Sequence, residues 1–202
     1  MPIRIEKSFQ VQEPLETVWK FLRDPRKVVK CVPGAQITEA VDDRTYKGAI
    51  KVQVGPSVTD YKGQAHIERL DEQTHEIEML GKGQDVRGKG SASMRMTGKV
   101  RALPEGGSEV IAISEVNVVG FLAQLGARMI HEVANKMFEQ FTANLRRELE
   151  KERSDKSESL SSETKETAAE PEPVKALPIV ASVIGEGIAR SVKQIFGGPK
   201  HP

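Results

Sequence analysis

The sequence predicts an α+β protein in which a curved, seven-stranded antiparallel sheet wraps one long C-terminal helix, with an apolar cavity between them. Three observations point there. Segments of alternating apolar and polar residues, separated by turn signals, fill 3–11 and 35–119. A single long helical stripe follows them. The sheet residues expected to face that helix are small or flexible where a solid core would want bulk.

The opening alternation is Ile3, Ile5, Lys7, Phe9 and Val11, the period-2 signature of a half-buried strand. Glu13-Pro14 then places proline where the first turn of a helix tolerates it, ahead of Leu15, Val18, Trp19 and Leu22 at helical spacing. Asp24-Pro25 repeats that start signal for a second short helix over 26–31, and Pro33-Gly34 ends it. From 35 to 119, alternating segments are separated by turn signals such as Asp42-Asp43, Gly55-Pro56, Asp71-Glu72 and Glu105-Gly106-Gly107, and six strands fit there. Their connections are too short for parallel crossovers, so the sheet is expected to be antiparallel. The final helix, over 121–151, carries Leu122, Leu125, Met129, Val133, Met137, Phe141, Leu145 and Leu149 in steps of three and four. This element order is that of the helix-grip, or START-like, architecture.

Within 87–101, Gly88, Gly90, Ala92, Met94, Met96, Gly98 and Val100 alternate with Arg87, Lys89, Ser91, Ser93, Arg95, Thr97, Lys99 and Arg101. Turning the first set toward the helix leaves volume unfilled. The same register turns Gly48, Ile50, Val52 and Val54 inward, and with them Tyr61, Gly63, Ala65 and Ile67. Met79, Met94, Met96, Met129 and Met137 all fall on inward positions, and methionine repacks readily around different apolar shapes. The expected ligand-binding lining is Val52, Val54, Tyr61, Met79, Met94, Met96, Val116, Val118, Leu125, Met129 and Val133. The competing reading is that methionines fill gaps and glycines relieve sheet curvature.

Composition narrows the function. A chain of 202 residues holds one ordinary domain, 1–151, plus an extension, and a net charge of +1 gives none of the basic field of a nucleic-acid binder. Cys31, the single cysteine, excludes an internal disulfide and a Cys-rich metal site. His66, His75, His131 and His201 lack metal-ligand spacing, so no metal is expected. The glycine-rich run 81–90 lacks the dinucleotide fingerprint and the Gly-Lys-Ser/Thr of a phosphate loop, and reads as a turn. Cys31 has no recognisable base beside it, and the inward positions are almost wholly apolar. No catalytic residue and no covalent cofactor are therefore expected: this reads as a binding protein, not an enzyme. The outward Arg87, Lys89, Arg95, Lys99 and Arg101 read as a solvated basic strand face, with a partner or anionic-headgroup contact as the alternative.

Residues 152–173 carry seven acidic and three basic residues and no aromatic, the composition of a disordered acidic linker. As a flexible coil it would span roughly 28 Å. Beyond it, 174–202 place Val180, Ile184, Ile188, Val192 and Ile195 at helical spacing, joined by Ile179, Val183 and Phe196, with Arg190 and Lys193 among the polar residues. Pro178, Gly185, Glu186 and Gly187 interrupt it too often for a spanning helix, so it is expected to lie in the plane of an anionic membrane surface. The alternative is a helix packed on its own domain or on a second copy. The first residues show no apolar run suited to a secretory signal. A cytoplasmic protein, peripheral on the cytoplasmic face of the inner membrane, is the expectation.

Four motifs carry a resemblance: Cys31-Val32-Pro33-Gly34-Ala35, Lys51-Val52-Gln53-Val54-Gly55-Pro56, Arg87-Gly88-Lys89-Gly90-Ser91-Ala92 and Gly120-Phe121-Leu122-Ala123-Gln124-Leu125-Gly126-Ala127-Arg128. In this order they resemble the CoxG family of carbon monoxide dehydrogenase subunits, a branch of the START-like, or SRPBCC, superfamily. Phe121 departs from the glycine or small polar residue expected at that place. The resemblance implies a non-catalytic accessory of molybdenum hydroxylases such as carbon monoxide dehydrogenase, linked to holding that enzyme at the cytoplasmic membrane. Together with a hollow interior it gives the expected function: a lipophilic-ligand carrier that brings an isoprenoid quinone, such as menaquinone, to a molybdenum oxidoreductase as electron acceptor. The quinone comes from the partner's need for an acceptor and not from any residue. The alternatives are a structural recruiter or assembly factor with a filled core, and a START-like enzyme.

Overall fold

The chain begins with strand β1 (Ile3–Val11), whose odd-numbered residues turn to one face, and two short helices, α1 (Leu15–Leu22) and α2 (Pro25–Val28). Six strands follow as a meander: β2 (Ala35–Ala40), β3 (Thr45–Val54), β4 (Ser57–Asp71), β5 (Glu76–Asp85), β6 (Gly90–Ala102) and β7 (Ser108–Gly120). A single turn, α3 (Phe121–Gln124), leads into the long helix α4 (Gly126–Glu163). The structure is a computed structural model that describes residues 2–55 and 57–163, with side chains through residue 155.

All seven strands form one antiparallel sheet in the order β1-β7-β6-β5-β4-β3-β2. Each hairpin pairs with its predecessor, and β1 closes against the last strand, which leaves β1 and β2 as the edges. The expected register is the observed one. Val100 stands opposite Val110, which stands opposite Phe9, and Ile50 stands opposite Tyr61. One irregularity matters: a bulge between Ile67 and Arg69 lets Leu70 return to the inner face and sends Arg69 outward, where it pairs with Asp71, Glu76 and Glu78.

Boundaries differ from expectation in three places, each for a local reason. The second helix spans only Pro25–Val28; Asp24 caps it by accepting a hydrogen bond from the Arg26 N–H at 2.9 Å, and Pro25 sits at its first position. The strand expected from residue 87 starts at Gly90, because the Asp85 carboxylate accepts from the Arg87 and Lys89 N–H groups at 2.8 and 3.3 Å and holds Arg87, Gly88 and Lys89 in a turn. The helix expected over 121–151 is two helices. Gly126, at φ +78°, takes the left-handed conformation that stops one and starts the next. α4 then runs to Glu163, past Lys151 and into the expected linker 152–173, since that part of the sequence holds no glycine or proline to end it.

The dense core lies at one end of the sheet. Phe9, Val11, Val100 and Val110 pack against Val18, Trp19, Phe21 and Cys31, with Leu145 and Leu149 of α4 wholly buried among them. Each of those leucines is worth about 1.5–3 kcal/mol of apolar burial. Phe138 and Phe141 meet Phe9 edge-on, with ring centroids 5.6 and 6.2 Å away. Polar ties fix this end: Asn144 donates to the Cys31 carbonyl at 3.0 Å, Arg146 to that of Gln10 at 2.9 Å, and the Trp19 indole N–H to Glu72 at 2.6 Å.

Candidate functional site: an apolar cleft under the sheet

The other end of the same interior is built differently. Strand pairing places Val52, Val54, Tyr61, Met79, Met94, Met96, Val116 and Val118 on the inner face, with Met79 opposite Met96 and Met94 opposite Val116. Leu125, just before the helix break, and Met129 and Val133 on α4 have their side chains half-buried. Val54 and Tyr61 are buried; the remaining nine of these eleven apolar positions are half-buried. A filled interior would bury them as completely as Leu145 and Leu149, which have no exposed surface. Burial along α4 therefore grades from complete at Leu149 to partial at Met129, and the inner wall at that end is only partly covered.

Small residues make the space. Ala65, Gly81 and Met94 are neighbours across three strands of the inner face, as are Gly63, Gly83 and Ala92 one row away. A Cβ built on Gly81 would touch only the Met94 side chain, at 3.7 Å and beyond. Sequence reasoning named the methionines and missed Gly81 as a wall element, although its alternation with Met79 carried the signal.

Polar groups on this wall are few. Tyr61 has only 6% of its surface exposed, and its hydroxyl has no hydrogen-bond partner among the described residues. Burial, and secondarily the Asp85 charge, push its phenol above its usual range, so it stays protonated and able to donate. Asp85 itself is engaged in the β5–β6 turn. Cys31 is fully buried and pushed up to about 11, first by burial and then by the Glu148 carboxylate, which makes it a poor nucleophile.

The basic strand face needs correcting. Arg95 pairs with Glu68, Lys99 with Glu76 and Arg101 with Glu109, while Arg87 and Lys89 lie in the turn before β6. The three cations on the strand itself are thus paired with glutamates of nearby strands. A separate concavity of about 850 Å³ lies on the outer face, flanked by Lys47, Lys62 and Lys82. It is distinct from the inner cleft, because its flanking side chains alternate with the inward ones. The residues assigned to the membrane-associating segment, Ile179, Val180, Val183, Ile184, Ile188, Arg190, Val192, Lys193, Ile195 and Phe196, lie outside the described residues, as does the rest of 174–202. No helix among the described residues is long and apolar enough to cross a membrane.

Comparison with solved structures supplies the fold family. A conserved protein from Geobacillus kaustophilus superposes with TM-score 0.67 at 19% identity, covering 74% of this chain and 96% of its own. The Zhui aromatase/cyclase from Streptomyces sp. R1128 gives 0.55 at 14% identity, covering 74% and 94%. A START superfamily protein from Mycobacterium smegmatis gives 0.54 at 12% identity, covering 74% and 98%. At such identities the likeness concerns the fold alone. Among curated proteins no relative matches. Residues 8–150, however, match the CoxG family of carbon monoxide dehydrogenase subunits, a span that takes in both the dense core and the open cleft. The chain therefore belongs to the CoxG family of carbon monoxide dehydrogenase subunits and carries its domain as a START-like helix-grip fold.

Proposed function

We propose that this protein is a carrier for an isoprenoid quinone, working at the cytoplasmic face of the inner membrane beside a carbon monoxide dehydrogenase-like molybdenum oxidoreductase. The observation that carries the reading is the half-buried inner wall: Met79, Met94, Met96, Val116, Val118, Met129 and Val133 face inward yet are only partly covered by protein. Leaving that much apolar surface against water is unfavourable by about 25 cal/mol per Å², and a water-insoluble guest would remove the cost. The methionines suit a long flexible guest because thioethers repack around it.

Tyr61 offers a polar anchor in this wall, an O–H held protonated beside apolar neighbours. A quinone carbonyl oxygen would accept that hydrogen bond while its isoprenoid chain lies along the methionines. The family name supports the partner, and the partner's need for an electron acceptor supports the quinone over other lipids. In this reading the chain performs no chemistry itself; redox steps belong to the enzyme it serves.

The test is an organic extract of the full chain purified from a quinone-making bacterium, analysed by mass spectrometry. The expected result is an isoprenoid quinone in amounts approaching one per chain, reduced in Tyr61→Phe. An extract without quinone, or one dominated by another lipid class, overturns the quinone assignment.

A further inference from the structure

The outer face of the sheet carries a pattern that the carrier reading does not use. Lys47-Gly48-Ala49, Lys62-Gly63-Gln64 and Lys82-Gly83-Gln84 repeat a Lys-Gly pair on three successive strands. Pairing aligns their glycines: Gly48 lies opposite Gly63, which lies opposite Gly83, with Ala92 next on β6. Alternation then sends the flanking residues outward in two rows. One row is Lys47, Gln64, Lys82, Ser93 and Asn117; the other is Ala49, Lys62, Gln84, Ser91 and Val119.

The glycine line is where adjacent backbones crowd together. A Cβ on Gly63 would run into the Lys82 carbonyl, and one on Gly48 would meet that of Gln36. On the outer side this line forms the floor of the concavity of about 850 Å³, with both rows standing along it. Strands lie about 4.8 Å apart, so Lys47 and Lys82, two strands apart in one row, are rooted about 10 Å from each other with Lys62 between them on the second row.

Its charge sets this groove apart from the other end of the face. Arg69, Arg95, Lys99 and Arg101 are each paired with glutamates. The groove lining contains no carboxylate. Lys47 reaches Glu39 at 3.0 Å, while Lys62 and Lys82 have no ion-pair partner among the described residues. Beside the cations stand Gln36, Gln64, Gln84 and Asn117, amides that can both donate and accept.

We propose that this groove docks an extended acidic segment of a partner protein. Unpaired ammonium groups without a carboxylate among them select acidic side chains. The amides match the alternating N–H and C=O groups of an extended backbone. A planar lipid surface does not follow a concavity, and the lining has neither the aromatic residues nor the arginines with which proteins grip single-stranded nucleic acid. The proposal concerns the face opposite the ligand cleft and stands whether or not the cleft is occupied.

The test is fluorescence anisotropy of the full chain with a labelled twelve-residue peptide of alternating Glu and Ala, and with its Lys-Ala counterpart. The wild type should bind the Glu peptide, with affinity falling as salt rises, and ignore the Lys peptide. The double variant K62Q/K82Q should weaken binding by about tenfold, since each exposed pair contributes a few-fold. K20Q/K136Q, which removes the same charge from exposed positions on α1 and α4, should stay within about twofold. Ala49→Phe fills the groove without changing charge and should also weaken binding. Equal losses in the two double variants, or no binding of the Glu peptide, would overturn the proposal. So would Lys62- and Lys82-dependent binding to phosphatidylglycerol vesicles without peptide binding, which assigns the groove to lipid. Tighter peptide binding after cutting the chain behind Glu163 would assign it to the chain's own acidic residues, and equally overturn it.

Discussion

Gly81→Leu separates an open interior from a filled one by the sign of a single number. Gly81 sits mid-wall between Ala65 and Met94, in ordinary strand conformation, and a side chain there points where only the flexible Met94 stands within 4 Å. If the cleft is open, a leucine at this position gains about half of a full burial, near 1 kcal/mol. Removing a glycine's freedom from the unfolded chain adds about 0.4–1 kcal/mol. The sum, about 1.5–2 kcal/mol, raises Tm by roughly 3–8 °C for a domain of this size. If instead the wall were packed, inserting four carbons would cost about 1–3 kcal/mol and lower Tm by a similar amount. The assay is calorimetry on protein stripped of lipid by solvent extraction and refolding, so that bound guest does not stabilise the wild type alone. The carrier reading adds that Gly81→Leu loses quinone while gaining stability. A lower Tm in the stripped variant would refute the argument that this end of the interior is hollow.

Two further outcomes are expected. Cys31 should resist iodoacetamide at pH 8 in the folded protein and react fully in urea, because its thiol is wholly buried and pushed up to about 11 from 9.0. A raised folded value means this contribution to stability is complete below pH 9 and lost as pH rises toward 11; the denaturation midpoint should fall across that window and fall less in Cys31→Ala. Rapid labelling at pH 8 would contradict the burial. For the membrane part of the proposal, a chain lacking 174–202 should keep its unfolding transition but no longer sediment with anionic vesicles. Unchanged sedimentation would remove the tail from the mechanism.

The sheet was readable from the sequence because a surface with one wet and one dry face imposes period 2 on its residues. That is why Phe9, Tyr61, Met94 and Val116 fell on the side they occupy, with the strand register intact. What pairing across strands decides was not readable. The cations of β6 looked like a basic face, yet Arg95 meets Glu68 and Arg101 meets Glu109, partners defined only once neighbouring strands are in register. The bulge before Arg69 has no local signature, and without it Leu70 would face water. The three Lys-Gly pairs were visible as letters, but their meaning depended on three glycines lying side by side. The end of the long helix escaped for another reason: α4 continues past Leu149 without an apolar stripe, on propensity alone, where a pattern search stops.

The choice between carrier and enzyme turns on what the inward polar groups are free to do, since the fold is shared with an aromatase/cyclase and leaves both open. Proton transfer needs an acid and a base converging on one substrate atom with their lone pairs uncommitted. Ser108 donates its hydroxyl to the Glu13 carbonyl at 2.7 Å, deep in the dense end. Thr59 spends its hydroxyl on the Val52 carbonyl at 3.2 Å. The inward carboxylate of Asp85 is held by two backbone N–H groups of its own turn, and His66, one residue from the buried Ile67, is turned to the other face, where it meets Thr45 at 2.9 Å. Tyr61 is left with a free hydroxyl, and its raised pKa suits it to donate a hydrogen bond but makes it a poor base at neutral pH. Ser114, opposite Met96, and Lys7, opposite Ala112, face inward as well, and all three groups can donate a hydrogen bond to a guest carbonyl. A carrier requires of this wall only donors that can hold a guest carbonyl, whereas an enzyme requires in addition a base converging on the same substrate atom.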